Sequence, residues 1–253
     1  MFETRRIREI DVAVPFDGGR KTQALVASSD KADWRLVVLP GTPCRKELYY
    51  RFLRCAPADL DVAVVSRLGF GAGHREPVLD FRDQVRVVEP FLGDRKTIVM
   101  GVSYGGALAL KSAMTYPAVS GAVTVAALVS EPFDYARMLA DLTAQPQVAP
   151  LVPNRLHTTR AEVEGRRTQI GPLLEALRGF AKPVEVLHGD FDHLVSLKDA
   201  HLLTQHIGAS AAFEKVHGGT HYMELQYPRR IYGAVNRAIA RAQNAETATG
   251  TAA

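Results

Sequence analysis

The sequence predicts an α/β fold: a mostly parallel sheet of eight strands, helices on both faces, and one small helical insertion. Three observations lead there. The chain opens on a hairpin pattern, with "IDVAVPF" and "KTQALVAS" alternating around the turn signal "DGGR". Short apolar runs then alternate with segments of helical period, which is the signature of strand–helix units sharing a parallel sheet. Between residues 131 and 179 the alternation stops, broken by Pro132, Pro146, Pro150 and Pro153, and the periodic pieces there are helical.

After the hairpin, "RLVVLP" is a run suited to a strand buried on both faces, ended by "GTP". "KELYYRFLRCA" follows as a helix with Leu48, Phe52 and Cys55 on one face, then "DVAVVS" as the next strand. "LGFGAGHREP" reads as a loop, and "DFRDQVRVVEPFL" as a helix with Phe81, Val85 and Val88 on one side. "KTIVMGVS" is a strand, "YGGALALKSAMTY" a helix ended near Pro117, and "VSGAVTVAAL" a strand. Beyond the insertion come strand "PVEVLHG", helix "SLKDAHLLTQHI", strand "AAFEKVHG" and helix "YPRRIYGAVNRAIARAQ", which carries Ile231, Val235 and Ile239 on one stripe. The expected organisation is a core of residues 1–130 and 180–245, an insertion over 131–179, and a flexible tail over 246–253.

Length and composition exclude several classes. The 253 residues suffice for one large domain with a sizeable core. Hydrophobic residues make up 47% and charged residues 23%, as in ordinary soluble proteins. The net charge is +4, but the basic residues form no concentrated stripe, so no nucleic-acid partner is expected. No apolar run is long enough to span a membrane. The charged start "MFETRRIREI" lacks an apolar core of the secretory kind, and two cysteines do not make a disulfide framework. A cytoplasmic protein with no membrane partner is expected. No spaced His/Cys cluster suggests a metal, and the sequence is silent on oligomeric state.

The chemistry is concentrated in "GVSYGG", residues 101–106. Ser103 stands at the passage from a buried strand into a helix. That is the setting of a nucleophile elbow, where Gly101 and Gly105 leave room for a tight turn and Gly106 lets the helix sit close on the sheet. The helix start also aims backbone N–H groups at the same spot. A serine hydroxyl needs a general base and an orienting carboxylate. Later strand ends offer Asp190 and Asp192 in "LHGDFDHLV", and His217 and His221 in "VHGGTHYMEL".

With these motifs the chain resembles the α/β-hydrolase superfamily over nearly its whole length. The resemblance implies an eight-stranded α/β-hydrolase sheet and a small helical cap at 131–179. It implies Ser103 as nucleophile, Asp192 in the H-G-x-x-D pattern as orienting acid, and His221 in the G-G-x-H pattern as general base. Asp190 is then expected to stabilise its loop, Glu131 remains a minor candidate for the acid, and His217 and His188 are expected to be structural. His74, His157, His201 and His206 have no such context.

An oxyanion hole is implied at the backbone N–H groups of Thr42 and Tyr104. The family loop often begins H-G-x-P, and here "LPGTP" puts Pro40 where the histidine braces the loop, so bracing must come from elsewhere. Help from the Thr42 hydroxyl is a further expectation. A second departure is "SRLGFGAG" against D-x-R-G-x-G-x-S, with Ser66 for the Asp, Leu68 for the Arg and Gly73 for the Ser. Cys44 has no elbow around it and reads as a small buried hydrophobe. Arg45 and Lys46 read as solvated charges.

The implied function is a cofactor-independent serine hydrolase cleaving a small or medium carboxylic ester or related acyl compound through an acyl-enzyme. Rival uses of the same triad are C–C bond, thioester or amide hydrolysis, acyl transfer, and perhydrolysis of the haloperoxidase kind. Haloalkane dehalogenase and epoxide hydrolase chemistry is disfavoured, because those relatives carry an Asp nucleophile. A reading of another class is a non-catalytic ligand-binding protein on the same fold.

Overall fold

The computed structural model describes residues 6–16, 19–70, 76–130 and 152–250, with single positions 141, 145 and 150 between them. Several expectations lie outside the described residues: the turn positions Asp17 and Gly18, the loop residues Gly71, Gly73 and His74, Glu131, and the insertion residues Phe133, Tyr135, Met138, Leu139, Leu142 and Leu151.

Eight strands form one sheet: β1 (Ile7–Ala13), β2 (Lys21–Ala27), β3 (Trp34–Leu39), β4 (Leu60–Val65), β5 (Lys96–Val102), β6 (Val119–Val125), β7 (Val184–Gly189) and β8 (Ala211–Val216). Their order across the sheet is β1-β2-β4-β3-β5-β6-β7-β8. The β1–β2 and β2–β4 pairs are antiparallel and all others parallel. The opening hairpin therefore forms one edge of an otherwise parallel sheet.

Among the described residues the helices are α1 (Tyr50–Arg54), α2 (Phe81–Gln84), α3 (Tyr104–Thr115), α4 (Asn154–Gly165), α5 (Arg167–Ala176), α6 (Leu197–Ile207), α7 (Met223–Gln226) and α8 (Pro228–Gly250). Strand side chains alternate between two apolar clusters, as the pleat requires. Val37, Leu39 and Val99 join the side covered by α3, α5 and α6. Leu36, Val38, Ile98 and Met100 join the side covered by α1 and α8. On that side Phe52 stacks on Tyr232 at 4.4 Å between centroids, and the Tyr232 hydroxyl donates to Phe52 O at 3.0 Å.

Four sequence expectations change. The segment 46–56 is a 3₁₀ turn (Lys46–Tyr49) followed by the short α1, a common arrangement at a helix start. The segment 80–92 is α2 followed by a 3₁₀ stretch, Val85–Phe91; Pro90 lies in that stretch and has no N–H to donate to an α-helical ladder. The flexible tail expected from 246 is helical through Gly250. Its Ala, Glu and Thr residues continue α8, and Glu246 pairs with Lys96. Lastly, Lys46 is buried and is not a solvated charge: its ammonium sits among Glu9, Glu47 and Gln23 at 3.2–3.3 Å.

The described part of the segment 131–179 divides its apolar residues. Ile170, Leu173, Leu174 and Leu177 pack into the core beside α3, whereas Leu156 is exposed. No helix among the described residues is long and apolar enough to cross a membrane.

Candidate active site

Sheet order brings distant loops together at the C-terminal ends of the parallel strands. β3 and β5 run side by side, with Leu39 opposite Gly101. The chain continues in opposite directions across the sheet from this pair, and such a switch point leaves a crevice for ligands. The loop after β3 and Ser103 after β5 therefore face each other. A Cβ on Gly41 would come within 3.0 Å of Ser103 Cβ.

Ser103 precedes α3 with φ 54° and ψ −121°, a left-handed conformation that a non-glycine residue holds only where its surroundings demand it. Its N–H donates to Val125 O at 2.9 Å, and its carbonyl accepts from Gly106 N and Leu128 N. The glycines are required by space. A Cβ on Gly101 would lie 1.9 Å from Gly105 O, and one on Gly105 would lie 2.1 Å from Leu39 O.

β7 and β8 bring the other candidates alongside. The loops that follow them touch so closely that a Cβ on Gly189 would meet Gly219 O at 2.0 Å. The Asp192 side chain is fully buried. Its Oδ1 accepts from the backbone N–H groups of Leu194 (2.8 Å) and Val195 (2.9 Å), and its Oδ2 is 2.9 Å from His221 Nδ1. Burial pushes the Asp192 carboxyl up, but the His221 contact and the two N–H bonds outweigh it and hold the carboxyl below the ordinary range. With the carboxylate accepting, His221 carries its proton on Nδ1, which leaves Nε2 as an acceptor.

Ser103 and His221 border one pocket of about 200 Å³, with the Thr42 loop on its rim. The structure thus brings together Ser103, Asp192, His221 and Thr42. Tyr104 is the first residue of α3, where an N–H has no partner within the helix. Its ring is buried away from the pocket, edge-on to Phe81.

The expected Thr42 hydroxyl contribution is corrected. The Thr159 hydroxyl on α4 donates to Arg155 O, so the 3.1 Å contact between the two threonines takes the Thr42 proton. That proton points at the insertion helix and not at an oxyanion.

Asp190 and His217 form a separate pair at 2.6 Å, and Asp190 also accepts from Gly218 N. His217 lies one residue past β8 and is largely exposed, not within the strand. His188 is fully buried with Nε2 3.1 Å from Val195 O; burial lowers its pKa, which favours the neutral ring. Cys44 accepts from Arg67 N–H at 3.4 Å, and burial pushes its thiol up, away from the nucleophilic thiolate.

The sequence assigns no role to two residues at the site, one of which, Glu224, is the Glu that follows the histidine in the resembled pattern. The first is the fully buried Arg67. Its Nε donates to Pro40 O at 2.9 Å, its Nη2 donates to Gly41 O at 3.0 Å, and its guanidinium forms a forked pair with Glu162 of α4. It also lies over the Tyr104 ring at 4.7 Å. This supplies the bracing that Pro40 cannot. Leu68, at the arginine position of the resembled pattern, is the immediate neighbour of Arg67.

The second is Glu224, 3% exposed on the pocket wall. Burial, with a smaller contribution from the Asp192 charge, raises its carboxyl to about 7 despite its own N–H and the nearby His221. The folded protein therefore keeps a proton that the unfolded chain loses near 4.5. This contribution to stability is full below about 4.5 and is lost as pH rises towards about 7. The linkage amounts to something on the order of 3 kcal/mol. Urea denaturation at pH 5 and pH 8 should show a smaller stability difference in Glu224→Gln than in the parent protein. Equal differences would contradict the assignment.

Among the described residues no group of three His, Cys, Asp or Glu side chains is placed to hold a metal.

The sequence profile described as "Alpha/beta hydrolase family" matches residues 36–234. A search of curated proteins returns no match to the chain. Among solved structures, the chain is similar to a membrane phospholipase A described as a bacterial virulence factor (TM-score 0.72, 18% identity, covering 94% of this chain and 87% of that one). It is similar to the 2-hydroxy-6-oxo-6-phenylhexa-2,4-dienoate hydrolase of Rhodococcus sp. strain RHA1 (TM-score 0.70, 17% identity, 93% and 100% covered). It is also similar to a thermophilic esterase from Thermogutta terrifontis (TM-score 0.69, 14% identity, 93% and 99% covered). At these identities the likeness is one of fold.

Proposed function

The chain belongs to the alpha/beta hydrolase family, and on that premise we propose that it is a cofactor-independent serine hydrolase cleaving a small or medium carboxylic ester or related acyl compound. The observation that carries this reading is the shared pocket: Ser103, held at φ 54° before α3, faces the space bordered by a histidine whose Nδ1 is engaged by a buried carboxylate.

In this reading Ser103 Oγ attacks the acyl carbon while His221 Nε2 takes its proton. The Thr42 and Tyr104 N–H groups hold the oxyanion of the tetrahedral intermediate. His221 passes the proton to the leaving alcohol, which departs and leaves an acyl-Ser103 ester. Water, deprotonated by His221, then attacks that ester; His221 returns the proton to Ser103 Oγ as the acyl–oxygen bond breaks and the acid leaves. Asp192 holds the imidazole in the required tautomer throughout. The insertion helix α4 is read as part of a cap that limits access to the pocket.

A short acyl chain is supported by the pocket size, about 200 Å³, against roughly 300–1,000 Å³ for clefts that hold drug-sized ligands. C–C, thioester or amide cleavage, or transfer to an acceptor other than water, would use the same atoms. No observation favours one of them over the ester. We place the reaction in the cytoplasm.

The test is covalent. A fluorophosphonate probe should label the protein at Ser103, located by peptide mass, and Ser103→Ala should not be labelled. A folded protein that resists labelling in both forms would favour the non-catalytic ligand-binding reading.

A further inference from the structure

Glu224 follows His221 by three residues, in the one-turn helix α7. It is almost wholly buried, borders the pocket shared by Ser103 and His221, and its Oε2 has no hydrogen-bond partner. Native structures seldom leave a buried carboxylate oxygen unpaired without a reason.

The catalytic geometry does not supply that reason, since His221 Nδ1 is already taken by Asp192. The histidine loop does not supply it either. Gln226 steadies that loop, with Oε1 accepting from Thr220 N at 3.0 Å and from the Thr220 hydroxyl at 2.9 Å. Tyr49 borders the same pocket from the 3₁₀ turn, and its phenol is held well above its ordinary value by burial and then by the Glu224 charge. The polar wall is thus a carboxyl and a phenol, both desolvated.

We propose that Glu224, with Tyr49, is a specificity determinant that binds a neutral hydroxyl group carried on the acyl chain of the substrate. The proposal rests on the hydrolase reading only in taking Ser103 as the place where the acyl carbon sits. Charge decides among ligand classes. An anionic substituent would meet the Glu224 carboxylate. A cationic one would pass the exposed Arg45 guanidinium, which also borders the pocket. A hydroxyl carries no charge, and it can donate to Oε2 of the carboxylate or accept from the protonated acid, so it suits both states of Glu224. Because Ser103 and Glu224 share so small a pocket, the hydroxyl belongs within a few atoms of the scissile carbonyl.

The probes are 3-hydroxybutyramide and butyramide, bound to full-length Ser103→Ala and followed by ligand-observed NMR titration. The hydroxylated amide should bind about tenfold tighter, the size of one buried hydrogen bond to a polar site. In Ser103→Ala/Glu224→Leu the difference should shrink to about twofold or less, while Glu224→Gln, which keeps a hydrogen-bonding side chain, should preserve it. Equal binding of the two amides to Ser103→Ala overturns the proposal even if the Leu variant does not fold. So does a preference that survives Glu224→Leu, or tighter binding of 3-aminobutyramide than of the hydroxy compound. Fluorophosphonate labelling of the parent protein reports separately on the hydrolase reading, so failure of one is not failure of the other.

Discussion

Asp192→Asn is expected to lower kcat/KM by roughly 10⁴-fold while leaving the fold intact. The reason lies in how the carboxylate divides its oxygens. Oδ1 accepts two backbone N–H groups, from Leu194 and Val195, and Oδ2 faces His221 Nδ1. An asparagine has one acceptor oxygen and one NH₂. If the oxygen stays with the two N–H donors, the NH₂ faces His221. The imidazole must then accept at Nδ1 and carry its proton on Nε2, so it cannot take a proton from Ser103. The flipped amide would set its NH₂ against two N–H donors and is disfavoured.

Both kcat/KM and the rate of fluorophosphonate labelling should fall together, with little change in Tm. A variant within tenfold of the parent would remove Asp192 from the role of orienting acid. Acidity gives a second check. The Asp192 carboxyl is held below its ordinary value of 3.8. Its favourable contribution is therefore present above that value and lost only as pH falls through the depressed one.

What was legible in the sequence follows the range of the interactions. The elbow is local. Gly101, Ser103 and Gly105 carry their steric requirement within five residues, and the apolar strand before them announces the turn. Asp192 and His221 are far apart in the chain, but each stands just past a strand end of a parallel sheet, where sheet order gathers such loops. The 3₁₀ stretches were legible only in part: Pro90 is visible, but its neighbours have helical spacing and mask it.

Arg67 was illegible for the opposite reason. Its partners are the carbonyls of residues 40 and 41 and the carboxylate of residue 162, and nothing local requires an arginine there. The burial of Lys46 depends likewise on Glu9 in a strand at the far edge of the sheet. The unpaired, buried oxygen of Glu224 is a fact of packing that no spacing reveals.

Arg67→Met should therefore expose a dependence that the motifs do not contain. Removing the guanidinium leaves the buried Glu162 with Gln84, whose Nε2 is 3.2 Å from Oε1, as its remaining side-chain partner among the described residues, and deprives Pro40 O and Gly41 O of their donor. Breaking one side of a buried pair costs about 3–5 kcal/mol, readable as a lower urea midpoint. The catalytic loss has a different origin. In the proposed mechanism the Thr42 N–H holds the oxyanion, and Arg67 holds the carbonyls of the same loop, so a loosened loop should lower kcat more than it raises KM. Arg67→Met/Glu162→Met separates the two effects. With no buried charge left unpaired, stability should return towards that of the parent. The Pro40 and Gly41 carbonyls remain without their donor, so kcat should stay low. If kcat returned along with stability, Arg67 would be a fold residue alone, and the bracing of the loop after β3 would have to be sought in the Thr42–Thr159 contact instead.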